Sequence, residues 1–291
     1  MIKQKLESEG ESMIDAEDYK EPSCPFCTDF YDPKSKDTPT LTVPIQRVIE
    51  KLDSYFSRND YEGAERHLLY WLQEAEQGND RRGELAVRDE LLGLYRKIGK
   101  RYEAMKSIER CRTLIDALEL TESVTAGTVY LNIATVYEAF AMPEKAIEFY
   151  TAAEKLYKKY LSADDEKFAG LFNNMALAYT DLGEYGEAEK LYRQAVEIMK
   201  NVENGELELA ITYINMAHLV ERRANDGSVD FDTIDELMCM ARICLDGYTP
   251  KRDGYYAFVC EKCAPSFGYF GYFIDESEYK KRAKDIYERK E

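Results

Sequence analysis

Two pairs of cysteines have the Cys-x-x-Cys spacing that can supply thiolate ligands to zinc. Cys24 and Cys27 stand in the sequence CPFC, and Cys260 and Cys263 stand in CEKC. The pairs are more than two hundred residues apart, whereas the halves of a four-thiolate zinc site normally lie within tens of residues. We therefore keep Cys24 and Cys27 as metal candidates. We expect Cys260 and Cys263 to pack as small apolar side chains, because they take apolar positions of the helical repeat described below.

The sequence contains none of the motifs that usually mark catalysis or cofactor binding. It has no glycine-rich phosphate loop, no GxSxG nucleophile motif, no HExxH metal motif and no Rossmann glycine pattern. Only two histidines are present, His67 and His218. We therefore predict a protein that is not an enzyme and that carries no cofactor.

Residues 172–199, FNNMALAYTDLGEYGEAEKLYRQAVEIM, have the apolar periodicity of two amphipathic helices. Phe172, Met175, Ala176 and Tyr179 fall on one helix face, and Gly183 then ends the pattern. A second periodic run follows, in which small residues permit close approach of the two helices. The segment predicts a helical hairpin.

The hairpin recurs along the chain. We align the copies on one position of the second helix and call the residue at that position the anchor. The anchors are Ala64, Ala104, Ala146, Ala188, Ile234 and Glu276. Successive anchors are 40, 42, 42, 46 and 42 residues apart. An aromatic residue stands nine positions before five of these anchors, at Tyr55, Tyr95, Tyr137, Tyr179 and Phe267. A fixed period of this kind indicates a solenoid of helix pairs.

The segments YLNIATVYEAFAMPEKAIEFYTAAEKLY and FNNMALAYTDLGEYGEAEKLYRQAVEIM resemble the tetratricopeptide repeat (TPR), in the 42-residue form of kinesin light chains. The resemblance covers residues 44–291 and implies an all-α fold, a right-handed α-α superhelix of about six helix pairs. It also implies a concave groove, lined by the first helix of each pair, in which proteins of this family hold peptides or protein segments. We expect residues 1–43 to form an acidic, partly disordered extension that contains CPFC.

Three asparagines take the same position in consecutive first helices, namely Asn132, Asn174 and Asn215. The resemblance places this position in the groove, where a neutral amide can both donate to and accept from a peptide backbone. We therefore predict that these asparagines contact the ligand. The alternative is that the amides bond to a neighbouring helix within the solenoid. The further predicted groove contacts are Asn173, His218, Arg222 and Lys97.

The charge of the chain restricts its partners. The formal net charge is −17, which is unfavourable for binding nucleic acid or an anionic membrane surface. The predicted groove positions include four basic residues, Arg96, Lys97, Arg222 and Lys262. Against these stand eight acidic residues, Glu50, Asp53, Asp89, Glu90, Glu138, Asp181, Glu221 and Glu261. The favoured partner is therefore a neutral or basic protein or peptide segment.

The favoured function is a cytoplasmic adaptor or regulator that holds an extended partner segment. The sequence has no apolar run that could span a membrane, no secretory signal, and an odd number of cysteines without the spacing of a disulfide framework. Two alternatives are kept. One is a self-association module, a homo-oligomer whose groove is filled by its own tail or a sister chain. The other is a regulatory protein with cysteine-bound zinc.

Overall fold

The computed structural model describes residues 39–224 and 228–288, and every regular element in these ranges is an α-helix. These helices are α1 (Ile45–Phe56), α2 (Tyr61–Gln77), α3 (Arg81–Ile98), α4 (Arg101–Ala117), α5 (Val124–Ala139), α6 (Pro143–Tyr160), α7 (Glu166–Asp181), α8 (Tyr185–Met199), α9 (Glu206–Arg223), α10 (Phe231–Gly247), α11 (Gly254–Tyr269) and α12 (Phe273–Tyr287). They form six pairs, from α1–α2 to α11–α12. The predicted all-α solenoid of helix pairs is confirmed. Cys24 and Cys27 lie outside the described residues.

The spacing of the second helices follows the predicted period. They begin at Tyr61, Arg101, Pro143, Tyr185, Phe231 and Phe273, so the intervals between them are again 40, 42, 42, 46 and 42 residues. Each first helix packs against the first helix of the next pair, and the pairs stack into a superhelix. The predicted repeat positions are therefore equivalent positions in the structure.

Small residues allow the two helices of a pair to approach closely. The anchors Ala104, Ala146 and Ala188 are completely buried, and so are Ala134 and Ala176 on the first helices that precede the last two of these anchors. Larger side chains close the space on either side, such as Tyr137, whose ring stacks on Phe149 with centroids 5.5 Å apart in the third pair. Tight packing of this kind gives each pair a fixed helix-crossing geometry.

The contacts of the solenoid begin shortly before the predicted boundary at residue 44. The backbone N–H of Val43 donates to the carboxylate of Asp80 over 2.8 Å, and Val43 is buried. Asp80 is also the N-cap of α3, since it accepts from the backbone N–H of Gly83. The segment before α1 is thus fastened to the turn between the first and second pairs.

The cysteines of CEKC pack inside the sixth pair, as predicted. Cys260 and Cys263 lie on α11 and are almost completely buried. Burial raises the pKa of Cys260 to about 11 and that of Cys263 to about 12, so both thiols are protonated at neutral pH. Within the described ranges, no three metal-ligating side chains come together, and no helix is long and apolar enough to cross a membrane.

Among the described residues, the turns inside five of the six pairs each contain one residue in the left-handed backbone region. Gly183 takes this conformation after α7 with φ +79°, which agrees with its predicted role in ending the helix. At the equivalent position after α5 stands Ala141, with φ +57°. An alanine here carries backbone strain of about 1 kcal/mol that a glycine does not.

We expect Ala141→Gly to raise the free energy of unfolding by about 0.5–1 kcal/mol, because the turn keeps its shape and loses its strain. The measurement is urea unfolding followed by circular dichroism. Gly183→Ala, at the equivalent turn, is the opposite control and should lower the free energy of unfolding by a similar amount. Unchanged or lower stability of Ala141→Gly would contradict this account of the turn.

Candidate functional site

The sixth helix pair contacts the first two pairs across the interior of the superhelix. The Nζ atom of Lys97 on α3 lies 4.7 Å from the ring centroid of Phe258 on α11 and 4.9 Å from that of Tyr61 on α2. Next to this contact, Gly254 lies so close to Ser57 that a Cβ atom on the glycine would be 3.0 Å from the serine Cβ. We call Lys97, Tyr61 and Phe258 the closing contact. It joins the two ends of the superhelix across its concave interior, which the first helices line.

Residues at equivalent positions of the first helices face this interior. The charges of Arg96 on α3 and Glu138 on α5 act on the ammonium group of Lys262 on α11, although α11 belongs to the sixth pair. By repeat position, Lys262 is the equivalent of the predicted groove asparagines. We call this set of positions the inner row; it consists of Glu50, Glu90, Asn132, Asn174, Asn215 and Lys262. The three predicted asparagines thus stand at positions equivalent to that of Lys262, and each is half-buried.

Two of the three asparagines bond to the first helix of the preceding pair. The Nδ2 atom of Asn132 on α5 donates to the Asp89 carboxylate on α3 over 2.8 Å. The Nδ2 atom of Asn215 on α9 donates to the Asn173 side-chain oxygen on α7 over 3.1 Å. In both cases the acceptor stands one residue before the inner-row position of the preceding helix. This is the alternative that the sequence left open, and here the amides connect neighbouring repeats.

Asn174 differs from the other two because its preceding helix offers no acceptor. The residue one position before the inner row on α5 is Leu131, which has an apolar side chain. Asn174 accepts a long 3.4 Å hydrogen bond from the Nδ2 atom of Asn173. Its own Nδ2 group has no acceptor among the described residues. Asn174 is therefore the inner-row asparagine whose Nδ2 donor is unused among the described residues.

The other predicted contacts have partners within the solenoid. His218 on α9 lies 2.9 Å from the hydroxyl of Ser266 on α11, and its ring centroid is 4.9 Å from that of Phe270. Burial lowers the pKa of His218, so its imidazole is neutral at neutral pH. Arg222 forms an ion pair with Asp181 on α7. These contacts, like that of Lys97, join first helices to one another.

Several acidic side chains lie close to one another on the inner face of α1 and α3. Burial, together with the charges of Asp89 and Asp53, raises the pKa of Glu90 to about 7. Burial and the charges of Asp253 and Glu50 raise the pKa of Asp53 as well. Within the described part of the chain, neither Asp53 nor Glu90 forms an ion pair. Among the described residues, this face thus holds the half-buried Glu90 and the exposed Asp53, two carboxyl groups without an ion-pair partner.

Asp89 was predicted to be a groove residue, and this is wrong. Its side chain is only 5% exposed and lies between α3 and α5, with one carboxylate oxygen bonded to Asn132 and the other without a partner. Burial raises its pKa to about 7, although the hydrogen bond from Asn132 acts in the opposite direction. The sequence gives a signal for this arrangement, since Asp89 stands one residue before the inner row, as Asn173 does.

Comparison with known proteins supports the repeat assignment. Two family models described as tetratricopeptide repeat match residues 127–161 and 168–226. The chain contains tetratricopeptide repeats. Repeats of this class serve as protein-interaction scaffolds and are typically non-enzymatic. None of the curated proteins matches this TPR chain.

Solved structures share the superhelical fold at low sequence identity. NprR in complex with its cognate peptide NprX superposes with a TM-score of 0.57 at 14% identity, covering 85% of this chain and 68% of that one. BtubC (BKLC) from P. vanneervenii superposes with a TM-score of 0.50 at 18% identity, covering 84% and 91%. A putative kinesin light chain from Podosopora anserina with nearly identical TPR-like repeats gives 0.49 at 16% identity, covering 69% and 94%.

We expect Asp89→Asn to stabilise this TPR protein at alkaline pH, because the amide keeps the shape of the side chain and removes its buried charge. The folded-state pKa of Asp89 is raised above the ordinary value of about 3.9. The wild-type protein therefore loses stability as the pH rises from about 4 through about 7. At pH 8 the variant should gain on the order of 2–4 kcal/mol in the free energy of unfolding, and at pH 4 almost nothing.

Urea unfolding at both pH values measures this difference. Asp116→Asn, which removes an exposed carboxylate from α4, is the matched control and should change the free energy of unfolding little at either pH. An Asp89→Asn variant less stable than wild type at pH 8 would show that the Asp89 charge supports the fold.

We expect Lys97→Met to loosen the closing contact, because methionine keeps the apolar stem of the side chain and removes the cation that lies over the Tyr61 and Phe258 rings. Backbone amides at the start of α11 should exchange with deuterium about fivefold faster, equivalent to about 1 kcal/mol. Lys106→Met, at an exposed position of α4, is the control. Equal exchange in both variants would mean that the cation does not hold the sixth pair in place.

Proposed function

We propose that this protein is a non-enzymatic adaptor or regulator that holds an extended segment of a partner protein against the inner face of its first helices. The observation that carries the proposal is that the Asn174 Nδ2 group has no acceptor among the described residues, whereas Asn132 and Asn215 each donate within the solenoid. An amide N–H that has no acceptor among the described residues suits the backbone carbonyl of a bound peptide. NprR, which shares the fold, binds its cognate peptide NprX.

The charge of the interior favours a neutral or basic segment. Asp53 and Glu90 have raised pKa values and form no ion pair among the described residues. A lysine or arginine of the ligand would favour their charged forms, which burial disfavours. An acidic ligand would add repulsion to a chain of net charge −17. The proposed partner is therefore a protein segment and not a nucleic acid or a membrane. The cytoplasmic location stays a prediction from the sequence.

A random peptide library displayed on phage, selected on the immobilised full-length chain, tests the proposal. Enriched peptides should be neutral or basic, and a fluorescein-labelled peptide of the highest affinity should bind in solution. We expect Asn174→Ala to weaken its binding three- to tenfold, because one hydrogen bond to the ligand backbone is lost. Fluorescence anisotropy measures the affinity.

Gln194→Ala is the matched control, since Gln194 is an exposed amide on the second helix α8. It should leave the affinity unchanged. If no peptide is enriched, or if Asn174→Ala and Gln194→Ala bind equally well, the inner face is not the binding surface. Light scattering of the free chain addresses the self-association alternative, because a dimer that Asn174→Ala dissociates would identify a second copy as the occupant.

A further inference from the structure

Two glycines interrupt the inner face at places where the fold does not need them. Gly93 on α3 and Gly170 on α7 are exposed, and a Cβ atom added to either would meet no other atom within 4 Å. Both stand inside a helix, where glycine is the least favourable residue apart from proline. Their backbone φ angles are not in the left-handed region, so conformation does not require glycine there either.

Other first-helix glycines have a packing reason that these two lack. A Cβ atom on Gly127 would lie 2.8 Å from the ring of Tyr157, and one on Gly83 would lie 2.3 Å from the carboxylate of Asp80. At these two positions, the absence of a Cβ atom makes room for a side chain of the same molecule. Gly93 and Gly170 leave the helix backbone bare toward the interior. Glycine is the residue used where a ligand must approach a backbone closely.

The position of Gly170 relates it directly to the proposed ligand contact. Gly170 precedes Asn174 by four residues, so the two lie one above the other on the same face of α7. By repeat position, Gly170 is the equivalent of Phe258, which belongs to the closing contact, and Gly93 is the equivalent of Asp53. At both positions, the equivalent residues of other first helices thus face the interior.

We propose that the main chain of the bound segment crosses α7 in direct contact with Gly170 and crosses α3 in direct contact with Gly93, while the Asn174 amide donates to it. This inference rests on the proposed function. The segment takes a diagonal path over α5, near Leu131, since Gly170 and Gly93 differ by seven positions in the repeat register. The ligand is thus an extended segment without side-chain bulk at the two crossings.

The path sets a minimum ligand length. Neighbouring packed helices lie about 10 Å apart, so two intervals from α7 to α3 span about 20 Å. Seven positions along a helix add about 10 Å in the perpendicular direction. The resulting diagonal of about 22 Å needs about seven residues of extended chain. Peptides shorter than about seven residues should therefore lose one of the two contacts.

Gly170→Ala tests the proposal, because the two roles of the residue predict changes of opposite sign. In the free protein the methyl group has open space and improves helix propensity, so the melting temperature should rise by about 2 °C. In the complex the methyl group occupies the space of the ligand backbone. The affinity for the fluorescein-labelled peptide from the library selection should therefore fall at least tenfold. Gly93→Ala should behave in the same way.

Gly186→Ala is the matched control, since Gly186 is an exposed glycine on the second helix α8 that also has open space around its Cβ position. It should leave the affinity unchanged. Unchanged affinity in Gly170→Ala and Gly93→Ala, with weaker binding by Asn174→Ala, would reject the path and leave the proposed function in place. If all three variants bind like wild type, or if no peptide is selected, the path and the proposed function both fail.

Discussion

The close approach of the two helices in each pair is the constraint on which the whole structure depends. Completely buried alanines, such as Ala134 and Ala146 in the third pair, leave room for one helix backbone to pack against the other. A larger side chain there would change the crossing angle, and each pair passes its orientation to the next. An error in an early pair would therefore displace the sixth pair, and Lys97 and Phe258 would no longer meet.

This packing occupies the faces that the two helices of a pair turn toward each other. The inner row lies outside those faces, so the packing does not fix which residue types stand there. The asparagines of the inner row nevertheless differ in their contacts: Asn132 and Asn215 bond to the preceding first helix, whereas Asn174 does not. Asn132 supplies the hydrogen bond that makes burial of Asp89 tolerable, because an ionised carboxylate without a donor is far more costly in that environment. Asn215 joins α9 to α7 through Asn173. Asn174 stands between these two links and makes neither, so identical residues in identical repeat positions have different roles.

The helices could be predicted from the sequence because they depend on local patterns. Apolar periodicity, small anchors and Gly183 are all visible within 42 residues, and the second helices begin at the predicted intervals. The sequence also indicates which asparagines can bond to the preceding first helix. The residue one position before the inner row of that helix is Asp89 for Asn132, Leu131 for Asn174 and Asn173 for Asn215. Of these three, only Asp89 and Asn173 have a side chain that can accept a hydrogen bond. The closing contact has no such signal. It depends on small rotations summed over six pairs, including a longer interval before α10, and no single repeat encodes that sum.

Closure has consequences for any ligand that uses the interior. A folded partner cannot enter a space walled by first helices on all sides, whereas an extended segment can. Burial of Glu90 and repulsion from the charges of Asp89 and Asp53 both disfavour its ionised form. A cationic segment relieves that repulsion, while the cation of Lys97 remains engaged with the Tyr61 and Phe258 rings. A segment with a free end can thread through the closed interior, but an internal segment of a long chain requires the sixth pair to move away. If Asn174 holds an internal segment as we propose, the strength of the closing contact would control how fast that segment exchanges.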